Sequence, residues 1–125
     1  MAYLLVVTGK NEGDFHPLPR QSVTIGRSET CTIQIVDDDV SREHIKVRYD
    51  RAGHTYHATD NLSANGVLIN GSQIDDEIQL ANGDMIKIGS SELIFSERDD
   101  TDRDNAIEHH RRSTQEEIVV TRIVE

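Results

Sequence analysis

His44-Ile-Lys-Val-Arg-Tyr-Asp50 alternates apolar Ile45, Val47 and Tyr49 with polar His44, Lys46, Arg48 and Asp50. A two-residue period puts one set of side chains on each face of an extended chain, so the stretch predicts a half-buried β-strand. The same logic extends outward. Ile33 and Ile35 flank Gln34, and further strands are expected over Tyr3–Val7, Ser22–Ile25, Thr55–Thr59, Val67–Ile69, Glu77–Leu80, Met85–Ile88 and Leu93–Phe95. Between them lie Asn11-Glu-Gly13, Asp50-Arg-Ala-Gly53, Asn65-Gly66, Asn70-Gly71 and Asn82-Gly83. Gly and Asn tolerate the positive φ of tight turns. No convincing amphipathic helix interrupts the series. Short strands with frequent turns predict an all-β fold, an antiparallel β-sandwich.

The 125 residues have room for one domain, expected over 1–96, and a charged tail over 97–125. Glu97 to Asn105 carries no large apolar residue. Thr101 with Asp104 could start a short helix through Ala106 to Arg112, whose apolar face would hold only Ala106 and Ile107. The tail is thus mostly irregular or weakly helical, and its end, Ile118–Val124, is β-prone. Such a run either adds to an exposed sheet edge, its own or a neighbour's in self-association, or waits for a partner in a longer protein.

Composition excludes several classes. The single cysteine, Cys31, rules out a disulfide framework or a multi-cysteine metal site, and beside a strand it is expected to be a small buried hydrophobe. Met1-Ala-Tyr-Leu-Leu-Val-Val lacks a basic leader and reads as a first strand; no apolar run has membrane-spanning length. A cytoplasmic protein without a membrane partner is expected. Thirteen Lys plus Arg against 23 Asp plus Glu give a net charge of −10, which repels a phosphodiester backbone, and three Tyr, two Phe and no Trp offer few stacking platforms. Nucleic acid is not an expected partner. A single phosphorylated residue is still admissible, because its contacts lie within one Debye length, about 8–10 Å.

Three polar breaks carry chemistry: Gly26-Arg27, Ser41-Arg42-Glu43-His44 and Ser63-Ala64-Asn65-Gly66. Together they supply guanidinium, hydroxyl, imidazole and amide groups, a donor set suited to an anionic group on a peptide. Each also has a plainer reading, a solvated surface turn. Nucleophilic catalysis by Ser41 and His44 would need a triad geometry that sequence cannot show, and the Gly-x-Ser-x-Gly elbow is absent, so no enzyme is expected. Asp37-Asp38-Asp39 lacks the Gly and Glu of an EF-hand loop and reads as a solvated acidic loop that could repel acidic peptides. His54 and His57 fall on opposite faces of a strand, and His109-His110 offers two ligands at most. No metal or cofactor is expected.

In order and spacing the motifs resemble the forkhead-associated (FHA) family, a phosphothreonine-peptide binding module, over roughly residues 3 to 96. Gly26-Arg27, Ser41-x-x-His44, Asn65-Gly66 and Gly71 follow the family pattern, as do Leu80-Ala-Asn-Gly83-Asp84 and Ile86-Lys-Ile-Gly89. The resemblance implies that Arg27 and Ser41 contact phosphate, that Arg42 adds positive potential or a further phosphate contact, and that Asn65 bonds the peptide main chain. It makes Gly26, His44 and Gly66 architectural: Gly26 lets its loop turn, and His44 braces the Ser41 and Arg27 loops. Ala64 replaces the Ser or Thr often found there, removing one hydrogen bond near the phosphothreonine. The implied partner is a phosphothreonine protein, namely a Ser/Thr kinase, its substrate or another part of the same protein. Thr114 or Thr121, once phosphorylated, could be such an internal ligand. The chain would be the sensor part of a larger regulatory protein; the alternative is a phospho-independent scaffold on the same fold.

Overall fold

A computed structural model describes residues 2–97 and 106–108. The strands are β1 Tyr3–Thr8, β2 Phe15–Pro17, β3 Val23–Gly26, β4 Ile33–Gln34, β5 Ile45–Asp50, β6 Thr55–Asp60, β7 Leu68–Ile69, β8 Ser72–Gln73, β9 Ile78–Gln79, β10 Met85–Ile88 and β11 Ser91–Ser96. They form two sheets, ordered β2-β1-β11-β10-β7-β8 and β4-β3-β5-β6-β9. The fold is the expected β-sandwich, with pairing antiparallel except between β3 and β4, which run parallel. Two strands were not expected from sequence, β2 and β8. Neither alternates cleanly; each is held by a neighbour, β2 by β1 and β8 by β7. The β7–β8 hairpin turns through Asn70 (φ 52°) and Gly71 (φ 85°), the left-handed pair that a two-residue loop requires.

Period-2 faces build the core. Ile45 and Val47 of β5 point inward beside Ile25 and Val23 of β3 and Ala58 of β6, while Lys46 and Arg48 face out. The opposite sheet contributes Leu4, Val6, Ile69, Ile86, Ile88, Leu93 and Phe95. Each fully buried aliphatic side chain stabilises the fold by about 1.5–3 kcal/mol relative to exposure. Tyr56 bridges the layers: its ring lies 4.9 Å from Tyr49 and 5.9 Å from Phe95. Its hydroxyl donates to the Pro19 carbonyl at 2.9 Å, so a buried phenol keeps a partner.

β1 departs from simple alternation. Tyr3, Leu4, Leu5 and Val6 are all buried. The reason is a second apolar cluster on the outer face, where Tyr3, Leu5 and Ala106 are buried and Val7, Phe15, Ile94 and Ile107 pack against them. The short helix expected to run through Ala106 to Arg112 is described only at 106–108, and its two apolar residues suffice because the sheet supplies the rest of the face. The tail features at His109-His110, Thr114, Ile118–Val124 and Thr121 lie outside the described residues. No helix among the described residues is long and apolar enough to cross a membrane.

Outside glycine, three of the described residues adopt positive φ: His54, Leu62 and Asn70. Asn suits that region, and His54 is held by a 3.1 Å bond between its Nδ1 and the Tyr49 hydroxyl. Leu62 has no such compensation. For a leucine this backbone costs about 1–2 kcal/mol, because Cβ crowds the following carbonyl.

Candidate functional site

Residues from three connections meet at one end of the sandwich. Arg27 follows β3. Its amide donates to the Ser41 carbonyl at 3.0 Å, and its Nε donates to the Val40 carbonyl at 3.0 Å. The guanidinium is thereby fixed at one nitrogen, and among the described residues nothing else bonds its two terminal amino groups. Gly26 is buried and has ordinary negative φ, so the expectation that it lets the loop turn is replaced by a different cause. A Cβ there would collide with the Arg42 carbonyl oxygen and lie 2.9 Å from the Ser41 oxygen. Gly26 lets two strands' worth of backbone approach, which is a packing requirement.

His44 is fully buried and is the hub. The Ser41 amide donates to its Nδ1 at 2.9 Å, and its Nε2 lies 2.7 Å from the Gly66 carbonyl. An amide can only donate and a carbonyl can only accept, so the ring is the neutral tautomer with its proton on Nε2. The imidazole therefore joins the Ser41 loop to the Asn65-Gly66 loop. The Arg27 loop is reached by main chain instead, through the Arg27 amide and through the His44 amide on Ile25. With both ring nitrogens committed, His44 has no lone pair with which to activate Ser41.

Ser41 accepts the Ala64 amide at its Oγ (3.1 Å), which leaves its hydroxyl proton free to donate outward. Asn65, an exposed residue, donates from Nδ2 to the Asp39 carbonyl at 2.7 Å, and among the described residues nothing bonds its side-chain carbonyl oxygen. Gly66 sits at φ 79°, capped by Ser63 Oγ, which accepts the Gly66 amide at 2.9 Å. Arg42 is exposed while its carbonyl accepts the Ser28 amide and the Cys31 thiol. Cys31 is buried, as expected of a small hydrophobe.

Beside these groups run two adjoining clefts. Arg27, Ser28, Glu29, Thr30, Gln34 and Arg42 line one of about 510 Å³. Ser28, Thr30, Arg42, Glu43 and Asn61 line the other, of about 490 Å³. Ser41 and Asn65 line neither. Ser28 and Thr30, whose hydroxyls lie 2.8 Å apart, belong to none of the motifs legible in the sequence and are marked there only by closely following Gly26-Arg27.

The Asp37-Asp38-Asp39 loop differs from the solvated acidic loop expected. Asp37 is 9% exposed. Its carboxylate accepts the Asp39 amide (2.8 Å), the Ser90 amide (2.9 Å) and the Ser91 hydroxyl (2.8 Å), pinning this loop to the β10–β11 turn. Burial pushes the carboxyl up, but those three bonds together outweigh it and hold it below the ordinary value of 3.8. Because the folded value is depressed, the stability this group contributes is complete above about pH 5 and is lost as pH falls through 3.8 toward the folded value. Asp37→Asn places an NH2 against donors and is expected to lower stability by about 1–3 kcal/mol at pH 7, with the difference from wild type shrinking toward pH 3. Urea midpoints at several pH values measure it; a constant gap would remove the pH linkage. Among the described residues no group of three His, Cys, Asp or Glu could hold a metal ion.

Arg27, Ser41 and Asn65 thus come from three connections at one loop end of a two-layer sandwich. The FHA domain model matches residues 23–89, and the chain belongs to the FHA domain family. It is 37% identical over 82 residues to the FHA domain-containing protein FhaA of Mycobacterium tuberculosis, covering 66% of this chain and 15% of that protein. It is 34% identical over 94 residues to the glycogen accumulation regulator GarA of Mycolicibacterium smegmatis, covering 75% of this chain and 58% of GarA. A solved FHA domain studied for phosphothreonine-dependent interactions superposes with a TM-score of 0.69 at 32% identity, over 78% of this chain and 96% of that one.

Proposed function

We propose that this domain binds phosphothreonine peptides at the Arg27–Ser41–Asn65 end and serves as the sensor part of a regulatory protein acting downstream of a Ser/Thr kinase. One observation carries the reading. Arg27 and Ser41 are anchored by partial use of their bonding capacity, and each keeps donors for a ligand. A phosphate dianion brings three strong acceptors, and donors already fixed in place need little reorganisation to meet them. Arg42, at the junction of the two clefts, adds positive potential. The Asn65 carbonyl is suited to accept a peptide amide. The ligand is a kinase or a kinase substrate, and the site binds without catalysing, since His44 has no free nitrogen to serve as a base.

Titrating a degenerate phosphothreonine library and its unphosphorylated counterpart tests this. Binding is expected only for the phosphorylated set; equal binding would favour a phospho-independent scaffold. Phosphothreonine should exceed phosphoserine by at least about fourfold, the equivalent of burying one methyl group at about 0.8 kcal/mol. Equal affinities would mean that no niche for the methyl exists here. The affinity should also fall below about pH 6, where the phosphate takes up its second proton.

A further inference from the structure

Leu62 is 98% exposed, against 47% for Val36 and 37% for Ile78, the other large exposed hydrophobics among the described residues. Scattered exposed leucines are ordinary. This one is unusual in its backbone as well, with φ 53° in a region where Gly or Asn would be relaxed. Nothing in the fold calls for leucine there. The loop on both sides is tied down: the Asn61 amide donates to the His44 carbonyl at 2.9 Å, Asn61 Nδ2 donates to the Glu43 carbonyl at 3.2 Å, and the Ser63 amide donates to Asp60 Oδ1 at 3.0 Å. Leu62 is therefore presented on a braced support. Its chain neighbour Asn61 lines the cleft that contains Arg42, and two residues on, the Ala64 amide bonds the Ser41 hydroxyl.

From this we infer that Leu62 selects the sequence around the phosphothreonine, packing against an aliphatic side chain of the bound peptide that flanks the phosphorylated residue. Arg27 and Ser41 supply binding to phosphate common to every ligand, and Leu62 discriminates among ligands. A strained, solvent-facing leucine is disfavoured in the free domain on both counts. Contact with an apolar ligand side chain removes the exposure, while the pinned loop means that little ordering is lost on binding.

The inference rests on the phosphothreonine reading above, and the test separates the two. A phosphothreonine peptide library randomised at the flanking positions is titrated against wild type, Leu62→Asn and Arg27→Ala. Wild type is expected to enrich Leu, Ile, Val or Met at one flanking position. Leu62→Asn, which accepts the left-handed backbone, should lose that enrichment. Its affinity for the selected peptide should drop about three- to tenfold, while its affinity for the same peptide carrying alanine there stays unchanged. Its thermal midpoint should equal or exceed wild type. An unchanged preference in Leu62→Asn overturns the inference while leaving phosphate recognition intact. Binding that ignores Arg27→Ala, or no binding by wild type, overturns both.

Discussion

Arg27→Ala is expected to weaken phosphothreonine-peptide binding by about ten- to more than a hundredfold and to leave the sandwich folded. A hydrogen bond to a charged group contributes about 1.5–3 kcal/mol, and the guanidinium has two terminal amino groups to offer. The effect on folding is small because, among the described residues, the side chain makes one internal bond, to Val40, and the residue is exposed, while the Arg27 amide bond to Ser41 survives the substitution. Arg27→Lys should recover only part of the loss, since an ammonium keeps the charge but not the planar fork. Calorimetric titration with circular dichroism checks both halves. Unchanged affinity in a folded variant would remove Arg27 from the phosphate site.

His44→Ala should have the opposite signature, a large loss of fold stability. The substitution strands the Ser41 amide and the Gly66 carbonyl and leaves a cavity where the ring was fully buried. Each unsatisfied buried group costs about 1–3 kcal/mol, and the cavity adds to this. A combined loss of about 3–5 kcal/mol is a large share of the 5–15 kcal/mol that usually holds a domain together. Urea unfolding would show a midpoint displaced far toward zero, with phosphopeptide affinity falling as the two loops lose their brace. A shift below about 1 kcal/mol would mean that water or loop movement replaces the imidazole, and that the three-loop arrangement does not depend on it.

The two variants separate what sequence conveys from what it hides. Strand identity was legible wherever alternation ran for several residues, as in β5, because one face had to be buried. β8 was not legible: two polar residues become a strand only because a left-handed turn folds them back on β7. At the site, Arg27, Ser41, His44 and Asn65 were legible as an ordered set of motifs. The connections of His44 were not, since its partners lie in different loops and only the fold decides which carbonyl its Nε2 meets. Gly26 was legible as architectural, but its close approach to the Arg42 carbonyl was not, because such a contact leaves no trace in local sequence. Asp37 resembled a solvated acid, and the residues that bury it, Ser90 and Ser91, lie far along the chain. Ala106 and Ile107 made too poor a helix face to predict docking; the missing apolar area was on β1 and β2.

The pairing of β1 with β11, Tyr3 opposite Ser96, has a kinetic consequence. On a ribosome the first strand emerges with no permanent partner on one side until nearly the whole domain has been made. The β3–β5–β6 sheet, whose members are close in sequence, can assemble earlier, and it carries Arg27 and His44 at its ends. The loops that hold Arg27 and His44 are thus partly shaped while the opposite sheet is still open, with Leu4 and Val6 uncovered. Closure by β11 is a late, long-range event, and topologies of this kind fold slowly. During that interval the nascent chain is most exposed to pairing with the wrong edge, so stalling translation shortly before β11 should yield a chain that chaperones hold and proteases cut.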